Sequence, residues 1–175
     1  MSCSAVLSCS VENNSVSWHS LTGRFFLWVI MQDMISHTTT EEGFRERVGE
    51  RGMVVVWAPE QEVLSHALVG CFVSHCWWNS TVEGVSSGVL FVCWSCFTEQ
   101  FANEAYICDE WKIGLRLRKD ESGIIRHGED KLERVLGDEG FKERVASIKA
   151  KVLESAGEGN SYNNLMRFIE WIKET

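Results

Sequence analysis

The 175-residue chain is predicted to form an α/β fold built on a doubly wound parallel sheet, and three features of the sequence predict it. Four apolar runs of five or six residues have the length and continuity of strands buried on both faces of a parallel sheet. Segments with helical spacing separate the later runs, the alternation typical of a doubly wound sheet. A composition of 45% hydrophobic and 24% charged residues, over a length typical of one domain, suits a single core.

The elements follow in order. Residues 1 to about 20, rich in Ser, Cys and Asn, carry no period of two or 3.6 and are left as an unassigned segment, the domain running over 21–175. The predicted strands are Phe25–Ile30, Met53–Trp57, Cys71–His75 and Val89–Cys93, with a shorter one at Ile113–Leu117. Glu60–His66, Asn79–Ser86 and Glu99–Trp111 read as helices; the last is expected to bury Phe101, Ala105 and Cys108 at i, i+4 and i+7. Asp130–Leu136, Gly140–Ser155 and Ser161–Lys173 are amphipathic helices, the last stacking Leu165, Phe168, Ile169 and Ile172 on one face.

Charge and composition exclude several functions. A net charge of -8 argues against nucleic acid as a partner, because such binders need a clustered basic face. No apolar run approaches the roughly 20 residues that cross a bilayer, so no membrane span is expected. The first residues lack the basic start and apolar core of a secretory signal, and a cytoplasmic address follows. Seven cysteines, an odd number, are expected mostly as reduced thiols. Cys93-Trp94-Ser95-Cys96 has the C-x-x-C spacing of redox and zinc sites. Cys71 and Cys76, with four residues between them, do not complete a zinc set, so these side chains are read as small apolar packing and no metal is expected.

The chemistry is concentrated in Trp57 to Gln100, which reads WAPEQEVLSHALVGCFVSHCWWNSTVEGVSSGVLFVCWSCFTEQ. This stretch resembles the signature box of plant UDP-dependent glycosyltransferases of secondary metabolism, whose pattern runs W, P, VLxH, GxF, HCGWNS, E, GVP, P and an acidic residue before Gln. The resemblance continues to the C-terminal helix. It implies a Rossmann-like sheet, the C-terminal domain of a GT-B fold, and a donor site for UDP-glucose with no cofactor or metal.

Residue by residue, the box implies these roles. Trp57 offers a flat face for uracil, with the Ala58 backbone near its polar edge. His75 stands at a strand end, where the turn into the next helix aims unpaired amides at phosphate; Trp78, Asn79 and Ser80 open that helix. Glu83, one turn on, presents a carboxylate to the ribose diol, although Ser80-x-x-Glu83 also fits a capping box. Glu99 and Gln100 are implied to hold sugar hydroxyls, Gln100 favouring glucose.

Departures from the box carry expectations too. Trp77 stands where the family has Gly and is expected to block the phosphate site or distort its turn. Leu90 and Ser95 replace prolines, loosening the loops toward the sugar. Glu60-Gln61 displaces the usual Gln by one. The first, central strand of the sheet is not recognisable in Met1 to Ser20, so the sheet is expected to be incomplete at its N-terminal side. The family's acceptor domain, with its His/Asp base pair, has no counterpart in this sequence, and no catalytic residue is assigned. Two functions stay open: the donor-recognition half of a glucosyltransferase acting on a small hydroxylated acceptor, or an inactive fragment that at most binds a UDP-sugar.

Overall fold

The computed structural model describes residues 4–9, 24–30, 52–118, 128–157 and 159–174. Six strands form one sheet: β1 (Ser4–Cys9), β2 (Phe26–Ile30), β3 (Gly52–Val55), β4 (Val69–Ser74), β5 (Leu90–Cys93) and β6 (Gly114–Arg116). Their order is β3-β2-β1-β4-β5-β6 and every pairing is parallel. The helices are α1 (Glu60–Leu64), α2 (Trp78–Ser87), α3 (Thr98–Ala105), α4 (Gly128–Gly137), α5 (Glu139–Gly157) and α6 (Asn160–Glu174).

The expected gap in the sheet is filled. Ser4–Cys9, placed outside the domain by its composition, is the central strand, with Val6 beside Leu27 on one side and Phe72 on the other. Ala5, Val6 and Leu7 are a short apolar run, and the flanking Ser and Cys are small enough for a strand, although they break an apolar pattern. Phe26–Ile30 and Val69–Ser74 are therefore each paired with β1 and not with each other. Residues 10–23, with His19, and residues 31–51, with His37, lie outside the described part of the chain.

Burial is graded across the sheet. In β4 and β5, Cys71, Phe72, Phe91 and Cys93 are fully buried and Phe72 meets Phe91 with ring centroids 5.7 Å apart. β3 lies at the other edge, and Met53, Val56 and Trp57 are exposed there, so this run is not buried on both faces. Phe25 is exposed and precedes its strand.

α2 packs on β4 and β5, and α4 on β4, β5 and β6. α3 corrects the expected stripe. Phe101 is exposed, whereas Gln100, Asn103 and Glu104 face inward with Ile107. The helix loosens into a π-helical turn at Tyr106–Glu110 before β6. The apolar face of α6 is likewise outside the core: Leu165, Phe168 and Ile172 are exposed, and Ile169 is half-buried. Among the described residues no helix is long and apolar enough to cross a membrane.

Candidate donor site at the strand C-termini

The strand order reverses between β1 and β4, and in an open parallel sheet the crevice beyond the strand C-termini at such a point is where ligands bind. β4 ends at Ser74, and His75, Cys76 and Trp77 turn the chain directly into α2. Cys76 takes the left-handed conformation with φ 65°, which costs free energy for a residue with a Cβ and must be held by its surroundings. Its N–H donates to Ser74 Oγ at 3.0 Å, and its carbonyl accepts from Asn103 Nδ2 at 2.9 Å. Ser74 is fully buried and Asn103 nearly so. These bonds fix the direction in which α2 begins.

The first amide of this turn to return to the helix is that of Thr81, bonded to the Trp77 carbonyl at 2.8 Å. The amides of Trp78, Asn79 and Ser80 are thus the free donors that every helix N-terminus presents, together with its partial positive charge. The N-cap residue, Trp77, makes no side-chain bond to them. Trp77 has φ -66° and ψ 153°, ordinary extended backbone, so the indole does not distort the turn as expected. Its ring is half-exposed and lies edge-on to the His75 imidazole, centroids 5.7 Å apart. The indole instead occupies space beside the turn into α2.

The other residues of the box sit at the same edge of the sheet because every strand points that way. Trp57 and Ala58 follow β3, and the Trp57 ring is 73% exposed, leaving its faces open for stacking. Trp78 and Asn79 are exposed on the first turn of α2. Ser80 is buried, with its hydroxyl beside the Glu60 carboxylate on the neighbouring α1. Glu60, not Gln61, is the residue turned toward α2, and Gln61, the glutamine displaced by one from its usual place, is exposed.

Glu83 faces Glu60 across the two helices, and Glu83 Oε2 and Glu60 Oε1 are buried atoms that accept no hydrogen bond from the described residues. Burial, reinforced by the Glu83 charge, raises the Glu60 pKa above the ordinary carboxylate value, against the lowering effect of the Ser80 hydroxyl.

Glu99 and Gln100 part company at the start of α3. Glu99 is exposed, while Gln100 is fully buried. Gln100 Oε1 accepts the amides of Cys96 and Phe97 at 2.7 and 3.0 Å, so this side chain caps its own helix from the N3 position. Its Nε2 is a buried donor with no partner among the described residues. The loops expected to be loosened by lost prolines are held: Leu90 is a buried residue of β5, and Ser95 Oγ donates to the Gln100 carbonyl at 3.2 Å.

Two supporting residues were not singled out from the sequence. Asn103 holds the turn into α2, as above. Glu104 Oε1 accepts from Arg116 Nε and Arg118 Nη2, both at 2.8 Å, tying α3 to β6 and the segment after it. Arg116 also pairs with Asp109, and this contact holds the Asp109 carboxyl below the usual range. The signal was present: Gln100, Asn103 and Glu104 recur at i, i+3 and i+4 as a polar helical stripe.

The family model described as UDP-glucoronosyl and UDP-glucosyl transferase matches residues 30–151. UDP-glycosyltransferase 83A1 of Arabidopsis thaliana is 48% identical over 128 residues, which are 71% of this chain and 28% of that protein. Linamarin synthase 1 of Manihot esculenta is 36% identical over 90% of this chain and 34% of its own length. Among solved structures, Os79 from O. sativa in complex with UDP and deoxynivalenol-3-glucoside superposes with a TM-score of 0.80 at 30% identity, covering 94% of this chain and 41% of that one. A UDP-glucose:anthocyanidin 3-O-glucosyltransferase in complex with UDP gives 0.81 at 26% identity over 98% of this chain and 41% of its own. The chain thus spans about a third of the length of the curated relatives it matches. With the signature box, the parallel sheet and this match over most of its length, the chain belongs to the UDP-glycosyltransferase family and carries its C-terminal, GT-B type α/β unit.

Proposed function

We propose that this chain recognises UDP-glucose as the donor half of a glucosyltransferase acting on a small hydroxylated acceptor. The observation that carries the reading is the open N-terminus of α2 at the point where the sheet order reverses, with His75 beside it. In this reading the three free amides and His75 meet the diphosphate, uracil stacks on Trp57 near the Ala58 backbone, and Glu83 accepts from the ribose diol. Trp78 and Asn79 line the turn, Glu99 meets the sugar from the surface, and the spare Nε2 of Gln100 reaches a glucose hydroxyl. The diphosphate charge is met by helix amides, so no metal ion or other cofactor is invoked. The thiols Cys71, Cys76, Cys93, Cys96 and Cys108 are free, which suits a reducing, cytoplasmic setting.

A second reading, binding without turnover by these 175 residues, is favoured by one observation. Among the described residues the imidazole at the strand C-termini is His75, which borders the turn into α2 with its ring against the edge of Trp77 and is assigned here to the diphosphate. General-base assistance contributes about 100- to 10,000-fold in rate, so such a chain would bind donor and transfer almost nothing. Calorimetry with UDP-glucose, on this chain and on Trp57→Ala and Glu83→Gln variants, tests the shared part: both substitutions should weaken binding. Equal affinity in all three would remove the donor assignment. A radiolabelled glucosyl-transfer assay against phenolic acceptors separates the readings, since robust transfer by the 175-residue chain would dismiss the second.

A further inference from the structure

Beneath the phosphate turn lies a cluster of thiols that the donor site does not use. Cys76 sits in the turn itself, Cys93 ends β5, and Cys108 lies in the π-helical turn that follows α3. Cys76 and Cys93 are fully buried, and Cys108 is half-buried. The Sγ atoms of Cys93 and Cys108 stand 3.7 Å apart, and the Cys76 thiol also neighbours Cys93. Cys96, the partner that the C-x-x-C spacing suggested for Cys93, is exposed and turned to the Trp94 carbonyl. The tertiary structure replaces the pair within one C-x-x-C motif by a pair 15 positions apart.

We infer that Cys93 and Cys108 form a disulfide under oxidation by a hydroperoxide, and that this bond weakens the donor site above it. The half-buried Cys108 thiol meets the oxidant first and becomes a sulfenic acid, the peroxide leaving as alcohol or water. Attack by the Cys93 sulfur on that sulfur expels water and closes the bond, two thiols losing two electrons and two protons overall. Burial pushes the Cys93 thiol well above its ordinary pKa, so the closing step is slow near neutrality and quickens as pH rises.

Closure has a structural consequence. The sulfurs must approach from 3.7 Å to about 2.05 Å, and the moving partner is the π-helical turn, since Cys93 is fixed in the sheet. Leu117 N–H donates to the Cys93 carbonyl at 2.7 Å and Trp94 N–H to the Ser74 carbonyl at 2.8 Å, so the β5 end is held on both sides. Movement of the π-helical turn is transmitted along α3 to Asn103, whose amide fixes the Cys76 carbonyl, and to Gln100. The coupling to the donor site rests on the function proposed above; the linkage itself does not.

The test uses the 175-residue chain with Cys96→Ser, and the same protein carrying Cys108→Ser, treated with hydrogen peroxide, alkylated and mapped. Cleavage after Glu separates the peptides, because no Lys or Arg falls between Arg51 and Lys112 while Glu83, Glu99, Glu104 and Glu110 isolate Cys93 from Cys108. The expected result is a single linkage of 84–99 to 105–110, and a fall of roughly tenfold in UDP-glucose affinity, about 1.4 kcal/mol. Dithiothreitol reverses the fall, and Cys108→Ser shows none. A linkage of Cys93 to Cys76, or Cys108 carried to sulfinic acid with Cys93 still free, overturns the inference. The expected linkage with unchanged UDP-glucose affinity overturns its coupling to the donor site. The expected linkage in a chain that binds no UDP-glucose in either state upholds the disulfide and overturns the donor reading.

Discussion

Gly84→Ala tests the packing that sets the position of α2. Gly84 lies in the buried face of that helix, and a Cβ built there falls 2.4 Å from Phe91 Cζ, with Cε1 and Cε2 at 3.0 and 3.2 Å. Ordinary contact begins at 3.4 Å, so helix or ring must yield about 1 Å. The ring has nowhere to go: Phe91 is fully buried against Phe72, and its own Cβ and carbonyl lie 2.7 and 2.6 Å from where a Cβ on Gly114 would stand. Overpacking of this kind costs about 1–3 kcal/mol, against at most ~1 kcal/mol gained from the helix propensity of alanine. A net loss of about 1–2 kcal/mol is expected, which lowers Tm by roughly 2–8 °C for a chain of this size. Because α2 must ride outward, UDP-glucose affinity falls as well. Urea denaturation followed by circular dichroism, with calorimetry, reads both. Phe91→Leu combined with Gly84→Ala removes the obstructing ring edge, so the double variant should lose less than the sum of the singles, a coupling of about 1 kcal/mol. A Gly84→Ala protein as stable as the parent, or strict additivity with Phe91→Leu, would refute the tight approach of α2 to β5.

Trp77→Gly should tighten UDP-glucose binding several-fold in calorimetry, since it clears the indole from beside His75 and the free amides; unchanged affinity would place the indole outside the ligand's path. Glu60→Gln should remove a pH dependence of stability. Burial raises the folded-state pKa of Glu60, so the native state keeps its proton longer than the unfolded chain. Stability therefore falls as pH rises from about 4.5 to the raised value, and the penalty persists above it. Tm measured over about pH 4–8 should show that fall in the parent and a shallower one in the Gln variant, which is the more stable at neutrality; parallel curves would contradict the burial of the Glu60 carboxylate. Glu104→Gln breaks a buried carboxylate bridging Arg116 and Arg118. Both guanidiniums reach solvent, so the loss in urea denaturation should be about 1–3 kcal/mol, below that of a fully buried pair.

How much was legible in the sequence depended on whether a residue's task is local. β4 and β5 were readable because strands buried on both faces must be apolar throughout, and Phe72, Val73, Phe91 and Val92 are. The open turn ahead of α2 was readable because a helix start presents free amides wherever it occurs. α3 was misread for the opposite reason. A hydrophobic stripe predicts burial against an apolar core, but this helix packs its Asn103 and Glu104 against backbone and guanidinium partners distant in sequence.

What the sequence by itself determined is the α/β alternation, the box from Trp57 to Gln100 and, through it, the family. Only the tertiary structure decided that Ser4–Cys9 is the central strand, because six residues of mixed polarity gain strand character from Phe26–Ile30 and Val69–Val73 on either side. It also decided that Glu60 lies within reach of the Glu83 charge and that Cys93 meets Cys108. Spacing along a chain fixes which neighbours share a face of one element, whereas contacts between elements follow from how the sheet is wound.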